Sequence, residues 1–211
     1  GKIIFESKEC NDRFDTLLDT KINLTNKNSV FVNNQKVISL AGVMGGKDTS
    51  CSNETKKALV ECAFFNPESI IGKSIKYNIQ SDAAHKFERG VDINSQELVL
   101  RRFIKIVQDH AKIVSIKWST FEEKSFKNKE LNLDVDRINS ILGTSITEDY
   151  YKKSLASIGF KIGDEKIIVP SYRTDIASQN DIAEEVARIL GYNSIENKPL
   201  DINKNQSKRN N

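Results

Sequence analysis

The sequence has few of the residues that build disulfide scaffolds and zinc sites, with only three cysteines and two histidines in 211 residues. Cys10, Cys51 and Cys62 are odd in number and lack CxxC spacing, while His85 and His110 have no companions at ligand spacing. This pattern favours a reducing, cytoplasmic environment over a disulfide framework or a zinc centre.

Long hydrophobic runs are also missing from the chain. No stretch approaches the roughly 20 apolar residues that a membrane helix needs, so no membrane partner is expected. The first residues, GKIIFESKECNDRF, lack the apolar centre of a signal peptide. They begin abruptly in an expected strand, and we therefore expect a segment of a longer protein.

Charge of one sign is not in large excess, since 32 Lys and Arg stand against 29 Asp and Glu for a net charge of +3. The two signs alternate finely along most segments, so the mild basic excess does not by itself indicate nucleic-acid binding. The length leaves room for one large domain or two smaller ones.

The pattern over residues 1–120 is typical of a mixed α/β (α+β) domain, because short extended runs and turns are followed by helices. Asn33-Asn34 lies between two apolar runs and predicts a hairpin turn. Further predicted elements are strands over 58–65, after the charged lead-in 54–57, and over 112–118, and helices beginning near Pro67, Ser81 and Ser95.

The polar segment 118–130 predicts a domain boundary, so that a second domain covers residues 121–197. Its order is strand, two helices, a hairpin and a last helix beginning near Ser178, which is the outline of a winged-helix-like domain. The tail over 198–211 is polar, and disorder is expected there.

The sequence AGVMGG, residues 41–46, has three glycines in six residues after a predicted strand. Glycine permits backbone angles and close approaches that other residues forbid. The loop could therefore face a ligand, or it could be a tight turn that only reverses the chain, and both interpretations stay open.

Glu61 is an acid among seven apolar residues of the segment ALVECAFF. A carboxylate buried without a partner is costly, so Glu61 needs either a counter-ion or a ligand. The alternatives are an internal ion pair, with Arg89 as one candidate, and a cavity in which a ligand supplies the partner.

The segment SDAAHKFERGVD, residues 81–92, predicts a helix capped by Ser81 and stopped at Gly90. The small Ala83 and Ala84 could let a substrate approach the start of this helix. Alternatively, the charged residues of the segment form a solvated face, and His85 is structural.

Four acids gather in RTDIASQNDIAEEVARILGY, residues 173–192: Asp175, Asp181, Glu184 and Glu185. In a helix from Ser178, the last three share one face, and Asp175 could fold back over the first turn. Oxygen ligands of this kind suit Mg2+. The alternative is that acids favour a helix N-terminus and that Glu184 pairs with Arg188. Carboxylates on the last helix have the wrong sign for phosphates, so DNA binding is not expected.

Five segments together resemble the beta subunit of bacterial-type phenylalanyl-tRNA synthetase, an aminoacyl-tRNA synthetase. They are SLAGVMGG (39–46), LVECAFFNPESI (59–70), SDAAHKFERGVD (81–92), DRINSILG (136–143) and VPSYRTDIASQNDIAEEVARILGYNSI (169–195). They occur in the family's order and near its spacing, and they cover the chain to about residue 197.

The resemblance implies that residues 1–120 are the later part of a tRNA-editing domain, which hydrolyses tyrosine mischarged onto phenylalanine tRNA. Glu61 matches the editing-site glutamate that recognises the tyrosine hydroxyl. Ala41, Gly42 and Gly45 match the glycine-rich wall of the pocket, and Ser81 and Ala83 match the opposite wall. The family usually has Thr at Ser81, Ser at Ala84 and Arg at Lys86, and its editing histidine lies upstream of residue 1.

The resemblance further implies a winged-helix-like domain near a catalytic alpha subunit, within an α2β2 heterotetramer that joins phenylalanine to tRNA(Phe) with ATP. Asp175, Asp181, Glu184 and Glu185 match acids that hold Mg2+ at the subunit interface. The alternative function is a non-enzymatic module related to the synthetase that binds tRNA or a protein.

Overall fold

The computed structural model describes residues 2–121 and 126–197, and it divides the chain into two compact units, Gly1–Phe126 and Lys127–Asn211. The predicted disordered tail, 198–211, and part of the predicted boundary segment lie outside the described residues. The α+β fold class is confirmed, since each unit combines an antiparallel sheet with helices.

The first unit is built on an antiparallel sheet of the order β1-β2-β3-β4. Its strands are β1 (Ile3–Asp15), β2 (Lys21–Asn33), β3 (Lys36–Leu40) and β4 (Met44–Gly45). The predicted hairpin turn is confirmed and is centred on Asn34 and Gln35, which both adopt positive φ between the paired residues Asn33 and Lys36. Positive φ at both central positions is the geometry of a type I′ turn, which matches the twist of the flanking strands.

Four helices follow in the first unit: α1 (Pro67–Ile70), α2 (Lys73–Tyr77), α3 (Asp82–Glu88) and α4 (Gln96–His110). The predicted starts of three of them are confirmed. Asn66 accepts from the backbone N–H of Glu68 before α1, and Ser81 accepts from that of Ala84 at the start of α3. Such side chains satisfy N–H groups that a helix leaves unpaired at its beginning.

Aromatic rings join the sheet to the helices in this unit. The centroid of the Phe65 ring lies 5.9 Å from that of Phe5 and 6.5 Å from that of Phe31, both on the sheet. On its other side, Phe65 meets Phe87 of α3 edge-on at 5.1 Å. Tilted and edge-on rings at these distances are favourable, so Phe65 ties the segment before α1 to both layers.

A polar contact fixes α2 on β2. The phenol of Tyr77 donates to the carbonyl oxygen of Thr25 or to Oδ1 of the buried Asn28, at 3.0 and 3.1 Å, and lies 3.2 Å from the Thr25 backbone N–H. Lys73 also donates to Asn28 Oδ1 at 3.0 Å. These bonds satisfy an asparagine side chain that the sheet buries completely.

The second unit contains a three-stranded antiparallel sheet of the order β5-β7-β6 and three helices. The strands are β5 (Glu130–Asn132), β6 (Lys161–Ile162) and β7 (Lys166–Ile168), and the helices are α5 (Val135–Leu142), α6 (Glu148–Ser157) and α7 (Gln179–Leu190). Their core includes Ile138, Tyr151, Leu155, Ile167 and Ile182. The predicted elements are confirmed, while the winged-helix-like comparison stays a prediction.

Two predicted strands are wrong. Residues 58–65 and 112–118 form no strand in the part of the chain that the structure describes, and α2 had no counterpart among the predicted elements. Their apolar runs have the composition of strands, but a strand exists only where a neighbouring backbone pairs with it. No helix in the described residues is long and apolar enough to cross a membrane.

Candidate functional site

The glycine loop, residues 41–46, begins at the end of β3 with a buried Ala41. Gly42 follows with a φ of +68°, a conformation that residues with a side chain rarely adopt. A Cβ at Gly42 would lie 2.8 Å from the Phe65 ring and 2.9 Å from Ile70. The absence of a side chain at Gly42 therefore lets Phe65 and Ile70 pack against the loop backbone.

Gly45 lies in β4, where it pairs with Ser39 of β3. A Cβ at Gly45 would come within 2.8 Å of Cδ1 of Leu17, a flexible and half-exposed side chain. The loop thus has glycines, which carry no side chain, at positions 42 and 45 on either side of the buried Val43.

Ser81 joins helix α3 to the glycine loop. Its hydroxyl donates to the carbonyl oxygen of Val43 at 2.6 Å and accepts from the Ala84 N–H at 3.0 Å. Ala83 is exposed on the first turn of α3, and Ala84 is fully buried. The structure therefore places the two predicted walls, the glycine loop and the start of α3, side by side.

The extended segment 59–65 approaches the glycine loop through Phe65, which packs against Gly42 and meets the Phe87 ring of α3 edge-on. Glu61 lies four residues before Phe65 and is exposed to solvent. The protein around it removes part of the carboxylate's hydration, which raises its pKa from 4.5 to about 7. The pKa of the adjacent Cys62 thiol is also raised. The thiol's own loss of hydration is the larger cause, and the neighbouring Glu61 carboxylate is the smaller one.

An ion pair between Glu61 and Arg89 is not observed. Among the residues that the structure describes, no cation lies within ion-pair distance of the Glu61 carboxylate, and lost hydration alone shifts its pKa. The Arg89 guanidinium instead lies 3.0 Å from Nδ1 of His85 and donates to the His85 carbonyl oxygen, also at 3.0 Å. The internal ion pair with Arg89, one of the two alternatives for Glu61, is therefore not formed, and the alternative in which a ligand supplies the partner stays a prediction.

The carboxylate cluster, defined as Asp175, Asp181, Glu184 and Glu185, lies in the second unit at the turn into α7. Asp175 accepts a paired hydrogen bond from Arg173, with Nε 2.9 Å from Oδ1 and Nη2 2.6 Å from Oδ2. The Arg173 guanidinium is the main cause that lowers the pKa of the Asp175 carboxyl.

Glu185 is buried, with 7% of its side chain exposed, and it is held by two arginines. Nη2 of Arg173 lies 2.8 Å from Oε1, and Arg188 donates to Oε2. Both guanidinium groups lower the pKa of the Glu185 carboxyl against the opposing effect of burial, with Arg173 the larger cause. Arg188 thus pairs with Glu185 rather than with Glu184, and the predicted Glu184–Arg188 pair is replaced. Glu184 itself is exposed.

Asp181 caps its own helix. Its Oδ2 accepts from the backbone N–H groups of Ala177 and Ser178 at 2.9 and 2.8 Å, and from the Ser178 hydroxyl at 2.9 Å. These donors favour the charged carboxylate and lower its pKa, with the Ala177 N–H as the largest cause.

These carboxylates do not fit a metal ion as they stand. Within residues 2–121 and 126–197, no three His, Cys, Asp or Glu side chains converge on a point where a metal ion could bind. Mg2+ requires oxygen ligands at about 2.0–2.1 Å in octahedral geometry. The carboxylate oxygens of Asp175 and Glu185 instead form ion pairs with arginine side chains.

Two residues were missed by the sequence analysis: Arg173, which holds the carboxylate cluster, and Phe65, which packs against the glycine loop. Arg173 stands two residues before Asp175, so a local ion pair could have been inferred from that spacing. Its bond to Glu185 joins residues 12 apart and depends on the fold of the turn. Strand alternation places Phe65 and the exposed Phe64 on opposite faces, but that pattern did not show which of the two is buried.

Family models match both units. A B3/4 domain matches residues 1–112, and a tRNA synthetase B5 domain matches residues 131–192. The first match covers more than half of the chain.

Similar proteins include the phenylalanine–tRNA ligase beta subunits of Francisella tularensis subsp. tularensis, 31% identical, and of Protochlamydia amoebophila, 34% identical. Each similarity covers 92% of this chain but only 26% and 25% of those proteins. The chain therefore spans about a quarter of the length of the curated relatives it matches. A solved N-terminal fragment of the Pyrococcus horikoshii phenylalanyl-tRNA synthetase beta subunit matches 91% of this chain and 57% of that fragment, with a TM-score of 0.42 and 14% identity.

Proposed function

This chain belongs to the B3/4 domain family, and we propose that it serves as part of a phenylalanine–tRNA ligase beta subunit. The support is the order of its two domains, B3/4 followed by B5, together with similarity to curated beta subunits over most of the chain. The proposed role is in the synthesis of phenylalanyl-tRNA.

Within that role, we propose that the first unit takes part in editing Tyr-tRNA(Phe). Tyrosine differs from phenylalanine by one hydroxyl, and a pocket shaped for phenylalanine rejects such an analogue weakly. A second site that forms a hydrogen bond with the hydroxyl can select tyrosine, because phenylalanine would leave the polar group of that site without a partner.

The observation that carries this proposal is Glu61, a partly desolvated carboxyl without a counter-ion among the described residues. With a pKa of about 7, it is present near neutral pH in both forms. The carboxylate accepts a hydrogen bond from a phenol, and the protonated acid can donate one. The glycine loop and the start of α3 are the proposed walls of the pocket, held together by Ser81 and Val43.

Deacylation of Tyr-tRNA(Phe) by a complete ligase that contains this segment tests the role of Glu61. Glu61→Ala is expected to slow deacylation roughly tenfold or more, the equivalent of one lost hydrogen bond to the substrate, while Phe-tRNA(Phe) formation is little changed. Glu68→Ala, which removes an exposed carboxylate of α1, is the matched control. Unchanged deacylation in Glu61→Ala would refute the proposed role.

The partners and cofactors of the assembled enzyme belong to the same proposal: an alpha subunit in an α2β2 tetramer, tRNA(Phe), ATP as a substrate, Mg2+ and a cytoplasmic location. The similarity to beta subunits supports the alpha-subunit partner. No step is assigned to Mg2+, because the described carboxylates do not fit it.

A second candidate function is a non-enzymatic protein-binding module. It is favoured by α4, which has no buried residue and exposes Leu98, Val99, Phe103 and Ile106. Large exposed apolar patches mark interaction surfaces. The two candidates differ in the deacylation assay: a binding module leaves Tyr-tRNA(Phe) intact whether or not Glu61 is present.

A further inference from the structure

We propose that Arg173 is the resident counter-ion of the carboxylate cluster, and that it keeps this cluster from binding Mg2+ in the chain as it folds by itself. The inference concerns the residues before and within α7 and does not depend on the proposed function. By chemical type, the four carboxylates suit a hard cation such as Mg2+. Their observed partners are instead arginine side chains and N–H or O–H donors of the protein.

Every carboxylate oxygen of Asp175 and Glu185 already accepts from a guanidinium. Arg173 uses Nε and Nη2 on Asp175 and shares Nη2 with Oε1 of Glu185. Arg188 takes the remaining oxygen, Oε2 of Glu185. Two positive groups thus balance two carboxylates, and paired guanidinium–carboxylate bonds are among the stronger hydrogen bonds in proteins.

The position of Arg173 makes it hard to displace. Only 18% of its side chain is exposed, and its backbone N–H donates to the carbonyl oxygen of Pro170 at 3.0 Å, which closes the turn before α7. Glu185 lies among buried Ile182, Val186 and Ala187 on the core side of the helix. A buried carboxylate in such surroundings requires a positive partner, and Arg173 provides one without any metal.

The remaining acids are poor substitutes as ligands. Oδ2 of Asp181 already accepts three hydrogen bonds at the start of α7, and the side chain of Glu184 is exposed to solvent whereas that of Glu185 is buried. Mg2+ gives up its hydration reluctantly and needs several well-placed oxygens. It would therefore have to displace Arg173 from both Asp175 and Glu185 before binding.

Two measurements on the 211-residue chain test this. In the first, Mn2+ replaces Mg2+ as a paramagnetic probe, and its binding is detected by NMR line broadening of assigned backbone amides. In the second, Mg2+ binding is measured by calorimetry. In the unaltered chain, we expect no selective broadening at Asp175 or Glu185 in millimolar Mn2+ and no saturable Mg2+ heat. In Arg173→Gln, which keeps amide donors but removes the charge, we expect selective broadening at both residues, reversed by excess Mg2+.

Two controls accompany this comparison. Arg173→Lys keeps the charge and is expected to stay without selective broadening. Lys153→Ala removes a cation from the exposed pair with Asp149 in the same unit and is expected to behave like the unaltered chain. Gln and Lys both keep a polar side chain at position 173. The amide spectrum of each variant shows whether the second unit remains folded.

Two results would overturn the proposal. One is saturable Mg2+ binding by the unaltered chain that is lost in Asp175→Asn or Glu185→Gln. The other is an Arg173→Gln variant that folds, as judged by its amide spectrum, and still shows no selective Mn2+ broadening. If Arg173→Gln unfolds, the comparison is made with Arg188→Gln, which releases Oε2 of Glu185 and is expected to give partial broadening at that residue.

Discussion

The hydroxyl of Ser81 lies 2.6 Å from the carbonyl oxygen of Val43 and joins the first turn of α3 to the glycine loop. The Ser81 hydroxyl oxygen also accepts from the backbone N–H of Ala84. One small side chain thus caps a helix and holds it against a loop 38 residues away in the sequence. The proposed pocket depends on this contact, because it sets the spacing of the two walls.

Ser81→Ala removes both bonds, so we expect the free energy of unfolding of the first unit to fall by about 1–2 kcal/mol. Urea unfolding followed by the fluorescence of Trp118, the single tryptophan of the chain, measures this change. Ser81→Thr keeps the hydroxyl and is the control. A Thr variant as unstable as the Ala variant would show that the hydroxyl has no such role.

Gly42→Ala is expected to destabilise the first unit more than Gly72→Ala. Both glycines have positive φ, at +68° and +78°, so both substitutions strain the backbone. Only at Gly42 would the new methyl group meet Phe65 and Ile70, whereas nothing lies within 4 Å of the corresponding position at Gly72. Overpacking is expected to add about 1–3 kcal/mol, measured by the same urea unfolding. Equal losses in the two variants would contradict the packing described for the loop.

The stability of the first unit is expected to depend on pH through Glu61. Partial loss of hydration raises the folded-state pKa of Glu61 from 4.5 to about 7, so the folded chain binds more protons than the unfolded chain between these values. The contribution is therefore present in full below about pH 4.5 and is lost as pH rises through 7. Carbon-13 NMR titration of the Glu61 carboxyl measures its pKa directly, and Glu61→Gln should remove this part of the pH dependence. A carboxyl that titrates near 4.5 would contradict the described surroundings.

Asp181→Asn is expected to lower the melting temperature of the second unit, because the neutral amide accepts more weakly from the Ala177 and Ser178 N–H groups. The folded-state pKa of Asp181 is lowered, so its contribution is present above the ordinary aspartate pKa and disappears as pH falls through the folded value. Circular dichroism melts at pH 7 and pH 2.5 test this, and the gap between the two proteins should close at the lower pH. Glu184→Gln, an exposed position in the same helix, is expected to melt like the unaltered chain at both values.

Much of the local structure follows from short-range signals. Asn66 and Ser81 mark helix starts because their side chains accept hydrogen bonds from N–H groups of the first turn, whatever surrounds it. At Ser178, the Asp181 carboxylate accepts from the Ser178 N–H instead. Residues 58–65 show the opposite case, since their apolar composition suits a strand but no backbone in the described residues pairs with them. Strand pairing requires two backbone segments to lie side by side, so it cannot be predicted from the composition of one segment alone.

By itself, the sequence determined the order of the elements in the second unit, the α+β class, the resemblance to the beta-subunit family and the chemical type of each candidate residue. These depend on spacing and side-chain chemistry, which are present in the unfolded chain. Only the tertiary structure decided that Glu61 lacks a counter-ion in the described residues and that Arg173 joins Asp175 to Glu185. Partners of a charge depend on distances and on the water that folding removes, and both arise when distant segments meet.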